Sequence, residues 1–161
     1  MSWWPRYKLV VDTNVFVSGL LFGGKPGRIL EFINQELVTL VTSPEIEAEM
    51  LRKLEKFGVG DNVLDGITAL FEYGSERVIP VVKLKISRDL KDNIFLEAAA
   101  EAGADFLVSG DKDLLVLEQI GKTKIVRPNV TWKDGGIGFA KAIIRTNITG
   151  GQTQYLFSKQ L

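Results

Sequence analysis

Four acidic residues, Asp12, Glu49, Asp92 and Asp111, are spaced so that they could share one site. Two short apolar runs stop just before an acid: Leu9-Val10-Val11 before Asp12, and Phe106-Leu107-Val108 before Ser109, Gly110 and Asp111. If both runs are buried strands of a parallel sheet, their acids emerge at the same edge of it. Glu49 falls about a turn and a half into a helix that follows another strand, and Asp92 lies in the first turn of a helix beginning near Asp89. Side chains from both helix starts point toward that edge. Carboxylates gathered there repel, because like charges ~4 Å apart cost about 4 kcal/mol at an effective dielectric of about 20. A cation removes the penalty, and Mg²⁺ and Mn²⁺ suit a few carboxylates in an open cleft because they prefer oxygen ligands and keep several waters. One such ion makes a water nucleophilic at neutral pH, and a second, ~3.5 to 4 Å away, stabilises a leaving oxygen.

Two absences narrow the alternatives. The chain has no cysteine and no histidine. That excludes disulfides, a thiolate nucleophile and Cys-rich zinc modules. It also excludes a Ser-His-Asp triad, paired-histidine phosphodiester cleavage and the H-E-x-x-H metalloprotease site. Phosphodiester hydrolysis at a carboxylate-held metal needs neither residue. Lys plus Arg and Asp plus Glu both number 20, so the formal net charge is zero. A balanced total is unlike the basic surplus of many nucleic-acid-binding domains, yet an acidic pocket bordered by basic residues also sums to zero.

The elements that must position these acids are legible from spacing. At 161 residues, 45% apolar and 25% charged, the chain reads as one packed domain. Tyr7 to Val11 predicts a buried strand, and Asn14 to Leu21 and Arg28 to Ile33 predict helices parted by Gly23, Gly24, Pro26 and Gly27. Leu37 to Thr42 predicts a strand. Ser43 then offers an N-cap, Pro44 sits at the first helical position, and Ile46, Met50, Leu51 and Leu54 form a stripe through a helix ending near Gly58. A helix over Asp61 to Tyr73 follows, then an extended run Arg77 to Ile86 in which Pro80 marks an edge strand or loop. Asp89 to Ala102 predicts a helix, Phe106 to Val108 a strand, Asp111 to Leu117 a short helix and Thr123 to Val126 a last strand. This alternation implies right-handed β-α-β units and a three-layer α/β/α sandwich around a mainly parallel sheet. Beyond Thr131 the glycine-rich tail, residues 131–161, carries a candidate helix Phe139 to Arg145 and a candidate strand Thr153 to Phe157 as an extension to a domain of residues 1–130.

Each acid also has a bland reading. Asp12 and Asp111 could cap helices, Glu49 could be a solvated surface residue, and Asp92 could compensate a helix dipole. Order and setting argue otherwise. The runs V-V-D-T-N-V-F-V-S at 10–18, S-P-E-I-E-A-E-M-L at 43–51, D-L-K-D-N-I-F-L-E-A-A at 89–99 and F-L-V-S-G-D-K-D-L at 106–114 together resemble the PIN-domain nuclease family, especially its toxin branch from toxin-antitoxin pairs. The resemblance covers about residues 7–130.

The resemblance implies a metal-dependent ribonuclease. It assigns Asp12, Glu49, Asp92 and Asp111 as the catalytic, metal-binding acids, with Asp113 as a further metal position and Asn14 and Ser109 as accessory residues. Among Glu45, Glu47 and Glu49, it selects Glu49, with Met50 where the family has leucine; Asp89 is read as a cap. Lys112, Lys91, Arg28 and Lys25 are candidates for positioning phosphates, and Trp3, Trp4 and Tyr7 could stack bases or pack on the domain. The implied cofactor is Mg²⁺ or Mn²⁺, and the implied partners are RNA, a small antitoxin and a second copy in a homodimer.

Competing readings are a noncatalytic RNA- or protein-binding module on the same fold, an aspartyl-phosphate phosphatase, and a phosphoacceptor receiver domain. Asn14 stands where the phosphatase needs an acid, and Glu49 and the D-x-D at 111–113 fit a receiver poorly. No apolar run approaches the roughly 18 residues that cross a bilayer, and Met1 to Lys8 lacks a signal-like stretch, so no membrane partner and a cytoplasmic location are expected.

Overall fold

The computed structural model describes residues 6–128; Trp3, Trp4 and the tail elements foreseen beyond Thr131 lie outside the described residues. The strands are β1 (Tyr7–Val11), β2 (Val38–Thr42), β3 (Ser75–Arg77), β4 (Phe106–Val108), β5 (Gln119–Ile120) and β6 (Thr123–Val126). Between them run α1 (Thr13–Phe22), α2 (Gly24–Asn34), α3 (Pro44–Lys56), α4 (Asp61–Tyr73), α5 (Asn93–Ala102) and α6 (Lys112–Leu115), with a 3₁₀ turn at Leu90–Asp92 leading into α5.

The sheet order is β3-β2-β1-β4-β6-β5, parallel throughout except the β5–β6 pair. From β1 the chain steps outward to β2 and β3, then returns across the sheet to β4. Right-handed crossovers therefore put helices on both faces, giving the three-layer α/β/α sandwich. The order in which strands are added to the sheet reverses between the adjacent parallel strands β1 and β4, and an open sheet leaves a crevice beyond the strand ends at such a point. Leu9, Val10 and Val11 face Phe106, Leu107 and Val108 in register, so the residues following both strands emerge side by side. All six are at most 1% exposed, which explains runs of apolar residues without alternation.

Local signals explain the helix limits. Ser43 Oγ accepts from the Ile46 amide at 3.3 Å, with Pro44 in the first turn of α3. Gly103 ends α5 in the left-handed conformation, φ 61°, where a side chain would be strained. Gly19 in α1 faces the Pro26 carbonyl of α2 so closely that a Cβ there would lie 2.7 Å from its oxygen. That contact packs the two helices together and brings Pro26 beside the sheet edge.

Two expectations change. The extended run Arg77 to Ile86 is a strand only over Ser75–Arg77, with one further bond from the Val78 amide to Thr42 O; Pro80 lacks the N–H that would continue the ladder. The helix foreseen from Asp89 begins as the 3₁₀ turn, capped by Asp89, whose Oδ1 accepts from the Lys91 amide at 3.0 Å.

Candidate active site

Asp12 is the first residue past β1 and caps α1. Its Oδ1 accepts from the Asn14 amide at 3.2 Å, and its Oδ2 accepts from Ser109 Oγ at 2.6 Å. Ser109, itself fully buried past the end of β4, also accepts from the Asp111 amide through the same hydroxyl at 3.0 Å. Asp111 repeats the Asp12 arrangement, with Oδ1 capping α6 through the Asp113 amide at 2.8 Å. Capping and site membership therefore coincide: each cap uses one carboxylate oxygen, and the second oxygen of Asp12 is the one that Ser109 holds.

Glu49 is half-buried on α3 and is tied to the start of α1, because Thr13 Oγ1 donates to its Oε2 at 3.1 Å. Its two glutamate neighbours are occupied elsewhere. Glu47 is buried between Thr42 Oγ1 at 3.1 Å and the Arg77 guanidinium at 2.9 Å, and Glu45 faces Lys83 at 3.6 Å. The backbone N–H near its own carboxylate and then Lys83 hold Glu45 below the usual carboxylate range. Only Glu49 of the three faces Asp12.

The acids are electrostatically coupled. Burial raises the Asp12 carboxyl above its ordinary value; the Ser109 and Asn14 hydrogen bonds oppose this, while Asp111 and Glu49 add to it. Asp92 is buried and pushed up to about 7, first by desolvation and then by Asp111, Asp12 and Asp89. Its Oδ2 is buried without a hydrogen-bond partner. A lone pair stranded beside two other carboxylates costs free energy unless a cation meets it, so the donor set of Asp12, Glu49, Asp92 and Asp111 fits a hard divalent ion. Among the described residues no three acids stand close enough together to hold a metal ion between them as placed.

The remaining foreseen residues fall around this centre. Asp113 is half-buried with Oδ1 at 3.8 Å from Arg88, engaged by a cation of the chain itself. Asn14 is exposed, and its side-chain oxygen accepts a hydrogen bond from Lys53. A cleft of about 340 Å³ opens between Asp12, Asn14, Val15, Ser18, Pro26, Gly110 and Asp111. Lys25 and Arg28 flank Pro26 on α2, and Lys112 is exposed beside Asp111. Tyr7 stands at the opposite end of the sheet with its ring edge-on to Phe106, 5.4 Å between centroids, so it packs on the domain and does not reach the cleft.

A second cleft of about 420 Å³ lies against Glu49, lined by Arg52, Lys53, Lys56, Phe57 and Lys91. Of these, only Lys91 and Glu49 were singled out from sequence. The signal for the others was present: Glu49, Arg52, Lys53 and Lys56 stand at i, i+3, i+4 and i+7, one face of a helix.

Comparison with known proteins agrees with this architecture. The PIN domain family profile matches residues 8–113. An uncharacterized protein of Methanocaldococcus jannaschii is 36% identical over 123 residues, covering 73% of this chain and 79% of the relative.

Proposed function

This chain belongs to the PIN-domain family, a nuclease fold, and from that premise we propose that it is a divalent-metal-dependent endoribonuclease acting as the toxin of a toxin-antitoxin pair. The observation that carries the metal reading is the buried Asp92 Oδ2, which receives no hydrogen bond from a donor group of the fold and has the Asp111 and Asp12 carboxylates as charged neighbours. Asp12, Glu49, Asp92 and Asp111 would hold Mg²⁺ or Mn²⁺, with Asp113 as an outer position. A divalent ion supplies Lewis acidity and brings the pKa of water toward neutrality, which suffices for phosphodiester hydrolysis without histidine.

The chain's own residues do the rest. Ser109 fixes Asp12 by donating to one of its oxygens and fixes Asp111 by accepting from its amide, so one hydroxyl sets the spacing of two acids. Thr13 holds Glu49 toward the same point. Asn14 lines the acidic cleft as support for the metal site, while Lys91, which lines the second cleft, Lys25 and Arg28 close to Pro26, and Lys112 next to Asp111 would position phosphates of the strand to be cut.

RNA as substrate and the toxin role are supported by the resemblance of the four acidic motifs to that branch. The same resemblance supports a small antitoxin and a second copy of the chain as partners. No helix among the described residues is long and apolar enough to cross a membrane.

The test is incubation of a mixed-sequence single-stranded RNA with the purified protein in Mn²⁺, Mg²⁺ or EDTA, beside an identically purified Asp111→Asn variant. Metal-dependent cutting that the variant loses is expected. A folded wild-type protein that cuts with neither metal would overturn the nuclease reading. The toxin role is read separately, as growth arrest on expression that Asp111→Asn relieves.

A further inference from the structure

The α3 face beyond Glu49 is a concentrated cationic surface in a chain of zero formal charge. Arg52, Lys53 and Lys56 project from it into the second cleft, and Lys91 enters from the 3₁₀ turn next to Asp92. Arg52, Lys56 and Lys91 form no ion pair among the described residues, whereas Arg6, Lys8, Arg77, Lys83, Arg88 and Lys122 all do. Glu49 stands one turn from Arg52 and Lys53, the spacing that favours helix-surface ion pairs, yet it bonds Thr13 instead. Arg52, Lys56 and Lys91 are left to face solvent.

Two further observations give this surface an occupant. Phe57, which ends α3, is 58% exposed at the rim of the cleft, an isolated aromatic ring among cations. The cleft is also continuous with the acidic centre: Glu49 lines it, and the hydrogen bond from Lys53 to Asn14 joins it to the cleft of Asp12 and Asp111. Cations that follow a backbone, joined to an aromatic face on which an unpaired base can stack, are the two components of single-strand recognition.

We infer that the α3 groove, Arg52, Lys53, Lys56 and Lys91 with Phe57, binds the unpaired RNA strand on one side of the scissile phosphate. The cations hold the backbone and Phe57 stacks a base. From Glu49 to Lys56 is about two helix turns, roughly 10 Å along the axis. The groove thus extends recognition past the acids without reading sequence. This rests on the proposed nuclease reading for its substrate, and the test separates the two by measuring binding without cutting.

A fluorescent oligouridine is titrated in EDTA against wild type, Arg52→Gln/Lys56→Gln, Phe57→Ala, and Arg6→Gln/Lys122→Gln. The last pair removes the same charge at the opposite end of the sheet. The groove pair is expected to lose at least tenfold in affinity, and its log K against log salt slope to shrink by about 1.4, twice the ~0.7 per phosphate of single strands. Phe57→Ala is expected to lose about tenfold with an unchanged slope. Arg6→Gln/Lys122→Gln is expected to bind like wild type. Equal weakening by both charge pairs, no loss in either groove variant, or no binding by wild type would each overturn the groove. Groove-dependent binding by a protein that cuts nothing in Mn²⁺ would leave the groove standing and overturn the nuclease.

Discussion

Ser109 Oγ lies 2.6 Å from Asp12 Oδ2, fully buried, and the same oxygen accepts from the Asp111 amide. One hydroxyl therefore locks the acids that follow β1 and β4. Ser109→Ala leaves Asp12 Oδ2 and the Asp111 amide without their partner in a buried setting, at a cost of about 1 to 3 kcal/mol. Denaturant unfolding should show that loss. RNA cleavage should fall at least tenfold as the two acids lose their spacing. Unchanged activity at reduced stability would make Ser109 structural only.

Asp92 sets a pH dependence. Its carboxyl is pushed up to about 7, above the ordinary 3.8, so between those values the folded state holds a proton that the unfolded chain has released. Stability contributed by this group is fully present below 3.8 and is lost as pH rises through about 7. In EDTA, wild type should lose Tm between those pH values by more than Asp92→Asn does. Identical pH profiles for the two proteins would refute the coupling.

Glu47 and Glu49 are two residues apart and should fail differently. Glu47 is held by Thr42 and Arg77, so Glu47→Gln breaks an ion pair whose carboxylate end is buried and should lower stability while leaving the gain on adding Mn²⁺ intact. Glu49→Gln should fold normally but lose most of that gain, which for wild type at 100 times the dissociation constant is about 2.7 kcal/mol. Thermal melts with and without Mn²⁺ separate the two. Equal metal response in Glu49→Gln and wild type would remove Glu49 from the donor set.

Gly19 permits the contact between α1 and α2. A Cβ there meets the Pro26 backbone oxygen at 2.7 Å, and backbone cannot swing aside as a side-chain tip would. Gly19→Ala should cost about 1 to 3 kcal/mol, read as a lower denaturation midpoint. Because Pro26 lines the acidic cleft, cleavage should also weaken. A variant as stable as wild type would mean the helices separate freely.

Much of this was legible before any coordinates. Apolar runs ending on Asp12 and before Ser109 gave the two central strands because strands buried on both faces need no alternation. Ser43-Pro44 marked the start of α3, and Asp61 to Tyr73 matches α4 end to end. What escaped was decided by pairing between distant segments. The two-residue β5 pairs antiparallel with β6 through a tight turn at Gly121, after Glu118 takes φ 60°, and nothing in its composition marks it as a strand. The start of α2 was hidden because Gly24 and Pro26, usual breakers, sit in its first turn, where proline's missing N–H costs nothing. The sorting of Glu45, Glu47 and Glu49 came from family resemblance, and the reason for it is visible only in their partners, Lys83, Arg77 and Thr13. The basic stripe on α3 was readable from helical spacing alone.

The bond between Asp12 and Ser109 joins residues 97 apart in sequence. Asp12 leaves the ribosome early, but the partner that orients it is made only near the end of the domain, and Asp111 later still. Under the proposed function a growing chain would spare the message it is read from, because the acidic centre is not assembled until β4 has been synthesised and slotted beside β1. Temporal safety is thus a by-product of strand order.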